Sequence, residues 1–538
     1  MKGPLLTSML TVLTLTGLQA QSLPSVPKMV VGLTIDQLRT DYIEAFSSLY
    51  GEKGFKRLWK EGKVFLNVEY TFSGPDRSSA IAALYTGTTP SLNGIISNYR
   101  LDVSTLRTVS CVDDPDFMGF YTNDNSSPSQ LLTSTVGDEL KIATLGKGLV
   151  YAVAPFRDAA ILGAGHAGNG AFWINEMTGK WAGTTYYNEF PWWANQYNDG
   201  NAADARIETM AWTLSQPEGS YKKNITIERF NETFRHKFAD AKQYKFKRLL
   251  DSPFVNDEVN LMVDELLKNT AIGEDDIPDL LSVTFYAGNY NRLSLRDGSL
   301  EIQDAYARLD KSIAALLEAI NKKAGLQNVV FFITSTGYTH PEGADLGRFR
   351  IPEGEFYLNR CAALLNMYLM ALYGEGHYVE GYYDLQIYLN HKLIEEKQLS
   401  LAEVQTKSAE FLIQFSGVDE VFSANRFLLG AWSPDIQKRR NAFNRKRSGD
   451  LAISVLPGWA IVDERSQENP VVRYAHAPIP LIFLGGSIKP EIIRAPVTVD
   501  HIAPALARLM RIRAPNACTT SRLEIEHYHA EGNVPDFR

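Results

Sequence analysis

The chain has 538 residues, 45% of them hydrophobic and 22% charged, with a formal net charge of −8. That length exceeds a single minimal core and suits one large α/β domain with insertions, or two to three domains. The composition is ordinary for a soluble globular protein, and the acidic balance argues against nucleic acid as a general partner.

Residues 1–20 have the pattern of an export signal. Lys2 supplies the positive start, LLTSMLTVLTLTG the apolar run, and Leu18-Gln19-Ala20 a small-residue cut site before Gln21. The run is too short for a spanning helix. No Cys follows the cut, so no lipid anchor is expected there, and no later stretch is long and apolar enough to cross a bilayer. These features predict an exported protein, periplasmic or associated with the outer membrane, with no transmembrane segment in the mature chain.

Past the signal, apolar runs at Met29–Ile35, Leu149–Ala154, Leu280–Phe285, Val329–Thr334 and Ile479–Leu484 predict buried parallel strands. Helical patterns alternate with them, such as Ile302–Ile320. The fold class expected is α/β, a mostly parallel central sheet sandwiched by helices. Residues 177–275 and 345–455 break the alternation and are expected as insertions or caps. Ligand sites in such sheets lie beyond the carboxyl ends of the strands, and Asp36, Asn289 and Thr336 fall near such ends.

Other features are weighed and set lower. Cys111, Cys361 and Cys518 are widely spaced and odd in number, so they read as buried apolar residues, with one bridge left open. The aromatics from Phe172 to Tyr197 read as packing before they read as a binding platform. The basic run from Lys438 to Arg447 reads as a solvated surface before an anionic-lipid site. His527 and His529 make too small a donor set for a metal site.

VVGLTIDQLRTDY, YGEKGFKRL, LYTGTTPSLNGI, ILGAGHAGNGAFWIN, IQDAYARLDKSIA, KRSGD and IPLIFLGG occur in that order. With them the chain resembles the phosphate-irrepressible alkaline phosphatases, a monoesterase branch of the alkaline phosphatase superfamily. The resemblance spans roughly the whole mature chain. It implies a pair of zinc ions held by Asp and His, which clamp the attacking and leaving oxygens. It also implies a nucleophilic Thr at a helix start, where backbone N–H groups receive phosphate.

Carried over residue by residue, the resemblance keeps Asp36 as a ligand. It puts Asn289, Leu293, Thr336, Gly337 and Pro478 where the other ligands belong. The nucleophile position falls on Arg77, with Ser78 one residue away. The phosphate-binding Lys and Arg fall on Phe156 and Asp158, and Asn98 keeps the phosphate-binding Asn. Arg77 either pairs with Asp36 in the old metal space or points to solvent.

Three functions follow as expectations. The first is a catalytically inactive scaffold or accessory subunit of a cell-envelope complex, with zinc lost, no cofactor and an envelope protein as partner. The alternative is a metal-dependent phosphomonoesterase or phosphodiesterase with a rearranged site, Ser78 as nucleophile, and His340 or His476 helping to hold a metal. The third is a ligand-binding module using the cleft.

Overall fold

The structure, a computed structural model, describes residues 26–222, 234–288, 300–338, 354–430, 433–462 and 479–518, together with 520, 523 and 525. Strands β1 (Met29–Asp36), β2 (Lys63–Glu69), β3 (Val150–Val153), β4 (Gly170–Ile174), β5 (Trp181–Thr184), β6 (Asp279–Tyr286), β7 (Val329–Ser335) and β8 (Ile479–Leu484) form the body of one sheet. Their order is β2-β8-β7-β1-β6-β3-β4-β5, with short strands added at each edge.

The middle of this sheet, from β7 through β1, β6 and β3 to β4, is parallel. Strand β8 runs antiparallel to both β7 and β2, against the expectation for Ile479–Leu484. The reason is its route. Strand β8 returns to the sheet after the long segment between residues 354 and 462, so no strand–helix–strand crossover sets its direction. The sheet is mixed, with a parallel centre.

Every residue of β1 and β6 is buried, as expected for strands covered on both faces. Alternation in β1 serves two cores. Met29, Val31, Leu33 and Ile35 face one hydrophobic layer and Val30 the other. The first layer takes helices α3 (Phe254–Asn269) and α4 (Leu300–Ala324). The second takes α1 (Arg77–Thr86), α2 (Arg157–Ala164) and α5 (Ile502–Leu509).

Most of the aromatic run packs into these layers. Phe172, Trp173, Trp181, Tyr187, Phe190, Trp193 and Tyr197 are buried, while Trp192 is exposed. Much of the second half of the chain builds a smaller unit with its own core. That unit is an antiparallel sheet of Val379–Tyr383, Gln386–Leu389, Leu451–Val455 and Val418–Ser423, covered by helices Leu358–Tyr373 and Leu401–Leu412.

Part of the basic run ties this unit to the main body. Arg447 Nη1 donates to the carbonyl oxygens of Gly94, at 2.7 Å, and Gln130. Lys438 pairs with Glu69 at 2.6 Å. All three cysteines are free thiols. No helix among the described residues is long and apolar enough to cross a membrane.

Candidate active site at the strand ends

The parallel centre fixes where the site lies. Strand β1 is in register with β6 and β7, so Asp36 stands beside Tyr286 and one step past the Ile35–Ser335 pair. Thr336 follows β7 directly. Its hydroxyl donates to Asp36 Oδ1 at 2.9 Å and accepts the Gln37 N–H at 3.0 Å. Gln37 itself has φ 61°, a conformation side chains rarely take, so the chain turns sharply at the Asp36 carboxylate. Gly337, also at positive φ (76°), lets the chain pass the Tyr70 ring, where a Cβ would sit 2.5 Å from a ring carbon. The Tyr338 hydroxyl donates to Asp36 Oδ2 at 3.3 Å.

Helix α1 delivers the second half of the site. Asp76 and Ser79 form a reciprocal capping box at its start, each side chain bonded to the other's backbone N–H at 2.9 Å. The Asn98 N–H also donates to Asp76. Burial pushes the Asp76 carboxyl up to about 6, against the donors that favour its ionised form. This box sets Arg77 and Ser78 in the first turn of a ten-residue helix.

Arg77 turns inward and binds two carboxylates unequally. Its Nε and Nη2 donate to Asp158 Oδ2 and Oδ1 at 2.8 and 2.9 Å, a fork-on-fork pair. Its Nη1 lies 3.5 Å from Asp36 Oδ2. The guanidinium carbon lies 3.9 Å from the centre of the Phe156 ring, a cation–π contact. The two pairings hold Arg77 protonated although it is largely buried.

Ser78 is fully buried at 0% exposure. Its Oγ donates to Asp158 Oδ2 at 2.8 Å and accepts from the Cys111 thiol at 3.2 Å. Its N–H donates to Asn98 Oδ1 at 2.9 Å. Burial pushes the Cys111 thiol up, so sulfur there is a neutral donor.

The two carboxylates beside Arg77 move in opposite directions. Burial holds Asp36 above its ordinary value, outweighing Arg77, Thr336 and Tyr338. Burial alone would also raise Asp158, but the Arg77 charge and the bonds from Arg77 and Ser78 bring it below its ordinary value. Of the two, Asp158 is the one its partners hold toward the ionised form.

Most of the residues singled out from the sequence meet here. Asp36, Arg77, Ser78, Asn98, Phe156, Asp158, Thr336 and Gly337 line one region. Asn289, Leu293 and Pro478, with His340 and His476, lie outside the described residues, as does the segment 1–20. Sequence reasoning missed Cys111, Tyr338 and the Asp76 cap. Only the cap had a readable signal, the D-x-x-S spacing ahead of an apolar helix. The Arg77 pairing with Asp36 is present, but the closer bond, to Asp158, was not foreseen.

Residues 30–477 match the model of the type I phosphodiesterase / nucleotide pyrophosphatase family. The chain belongs to that family. It is 30% identical to alkaline phosphatase PafA of Elizabethkingia meningoseptica, over 91% of this chain and 92% of the relative. It is 27% identical to alkaline phosphatase PhoV of Synechococcus elongatus, over 93% and 94% of the two chains. The crystal structure of wild-type PafA superimposes with a TM-score of 0.81 at 28% identity, covering 93% of this chain and 99% of that one. The superfamily and the α/β architecture inferred from sequence are therefore right.

The same comparisons correct two expectations. A catalytically inactive scaffold does not stand, because PafA and PhoV, each matched over more than nine-tenths of its length, are phosphatases by name. The expectation of lost zinc and no cofactor falls with it, because the resemblance attaches zinc chemistry to that class. Among the described residues, no group of three or more His, Cys, Asp or Glu is placed to hold a metal ion. Asp36, with Thr336, Tyr338 and Arg77 around it, does not fit a zinc pair from these residues alone.

Proposed function

We propose that the protein hydrolyses phosphate esters, monoesters or diesters, with Ser78 as the nucleophile. The observation that carries this reading is the Ser78 hydroxyl. It sits in the first turn of a capped helix, buried, 2.8 Å from an ionised carboxylate and next to a guanidinium. Each of those features suits phosphoryl transfer. Arg77 attracts a phosphoryl group. The Nδ2 of Asn98 adds a donor at the residue that the resemblance assigns to a phosphate oxygen. The carboxylate orients the hydroxyl for attack.

The end-to-end likeness to alkaline phosphatases supports the reaction class, and the family's description supports diesters as well as monoesters. Residues 1–20 make this an exported activity. The hydrolase reading needs no envelope partner.

The test is turnover of p-nitrophenyl phosphate and bis(p-nitrophenyl) phosphate by protein purified without chelators, with zinc content measured alongside. Turnover of either ester, abolished in a folded Ser78→Ala variant, is expected. No turnover of either ester, or full turnover in Ser78→Ala, overturns the reading.

A further inference from the structure

We infer that Asp158 is a catalytic residue that relays the proton of Ser78, forming a Ser–Asp dyad held in place by Arg77. The inference rests on the hydrolase reading and deepens it. The resemblance puts a phosphate-binding cation at this position, so a carboxylate there needs its own explanation.

The hydrogen-bond pattern supplies one. Ser78 Oγ gives its proton to Asp158 Oδ2 and takes one from the Cys111 thiol. With both bonds made, the rotor is fixed and one lone pair of Oγ is left without a hydrogen bond. Asp158 is 7% exposed, so bulk water does not compete for the contact. Both Asp158 oxygens are tied to Arg77, which fixes the plane of the carboxylate against the hydroxyl. A buried carboxylate without such a cation would take up a proton and could not accept another. The pairing also makes Asp158 a weak base. A proton taken from Ser78 therefore stays on it only briefly before moving to another oxygen.

The steps balance without an added reactant. The bond from Ser78 Oγ to phosphorus forms while the bond from phosphorus to the leaving oxygen breaks. The Oγ proton passes to Asp158 and then to the leaving oxygen, giving an alcohol and a phosphoserine. Water then attacks phosphorus and gives a proton to Asp158. The phosphorus–Oγ bond breaks, and Asp158 returns the proton to Oγ. Arg77 keeps its charge throughout. Its Nη1, which makes no bond to Asp158, lies 3.5 Å from Asp36 Oδ2.

The experiment compares wild type, Asp158→Asn and Ser78→Ala on aryl phosphate esters whose leaving groups run from p-nitrophenol to phenol. Asp158→Asn is expected to lose about 10²–10⁴-fold in kcat/KM on the phenyl ester, the usual range for a proton-transferring group, and much less on the p-nitrophenyl ester. A purely structural role would lower every ester by the same factor. An equal loss across the series, or no loss, overturns the inference and leaves Ser78 as nucleophile untouched. If Asp158→Asn does not fold, the wild type decides. Its single-turnover rate on the phenyl ester is expected to slow in D2O, and equal rates in D2O and H2O overturn the relay. A wild type with no turnover of any ester overturns the parent reading and this one together.

Discussion

Asp36 and Asp158 flank the same guanidinium, are both buried, and respond in opposite ways. Asp158 receives a two-pronged bond from Arg77 and a hydroxyl bond from Ser78, and it falls below the usual carboxylate range. Asp36 has Nη1 at 3.5 Å and two hydroxyl donors, and burial raises it. Distance and directionality, more than the presence of a cation, decide which way a buried acid is shifted. The helix side of the site thus carries the acid held below its ordinary value. The strand side, at the tip of β1, is the side on which charge is costly.

The largest expected effect is on activity. Ser78→Ala should lower phosphate-ester turnover on the order of 10⁴-fold or more, as for loss of a nucleophile, with a melting temperature near that of the wild type. A small loss would move the chemistry to the strand side and break the contrast.

Next comes Arg77→Met, which leaves Asp158 buried without its cation. It should cost roughly 3–5 kcal/mol in denaturant unfolding. Adding Asp158→Asn to it should restore much of that loss, and a double-mutant cycle measures the coupling. Additive losses would mean the two groups are not paired.

The two acids should then separate by pH. Asp158 is lowered from 3.8, so its stabilisation is present above 3.8 and lost as pH falls through its folded value. Asp36 is raised from 3.8, so its contribution is full below 3.8 and lost as pH rises through its folded value. At neutral pH, Asp158→Asn should melt below the wild type, and Asp36→Asn at or above it. Both gaps should close in acid. Thermal melts across the acid range check this, and two variants moving the same way would erase the distinction.

The smallest effect lies away from the cleft. His166 bonds Asp138 at 3.0 Å and the Leu131 carbonyl at 3.0 Å. The Asp138 bond raises it above 6.5 against burial. Its stabilisation is full below 6.5 and lost as pH rises through the folded value. His166→Gln should therefore cost less than about 1 kcal/mol, the range of a partly exposed pair, and only on the acid side. A cost that persists in alkali would mean packing, not charge, is what His166 supplies.

Much of this architecture was legible in the chain. The strands that carry Asp36 and Thr336 are uniform apolar runs, and such runs have one reading when helices alternate with them. The direction of Ile479–Leu484 was not, because a long insertion separates it from the pattern that sets chain direction. The residues of the cleft were legible too, since Arg77, Ser78, Asn98, Phe156 and Asp158 could be placed from a single resemblance. Their chemistry was not. Asp158 alone is only a carboxylate where the resemblance puts a phosphate-binding Arg. Its meaning changes once Arg77, 81 positions earlier, is seen to lie against it. No local pattern records a pairing of that separation. The same blindness produced the inactive-scaffold expectation, because a list of substituted ligands says nothing about what new groups do together.

One measurement reaches the central claim directly. The protein is mixed with an aryl phosphate, quenched in acid within a turnover, digested, and its phosphopeptides are mapped. A phosphoryl group on Ser78, absent in Ser78→Ala, is the expected result. Turnover with the phosphoryl group on another residue, or with no covalent adduct at all, would contradict the account.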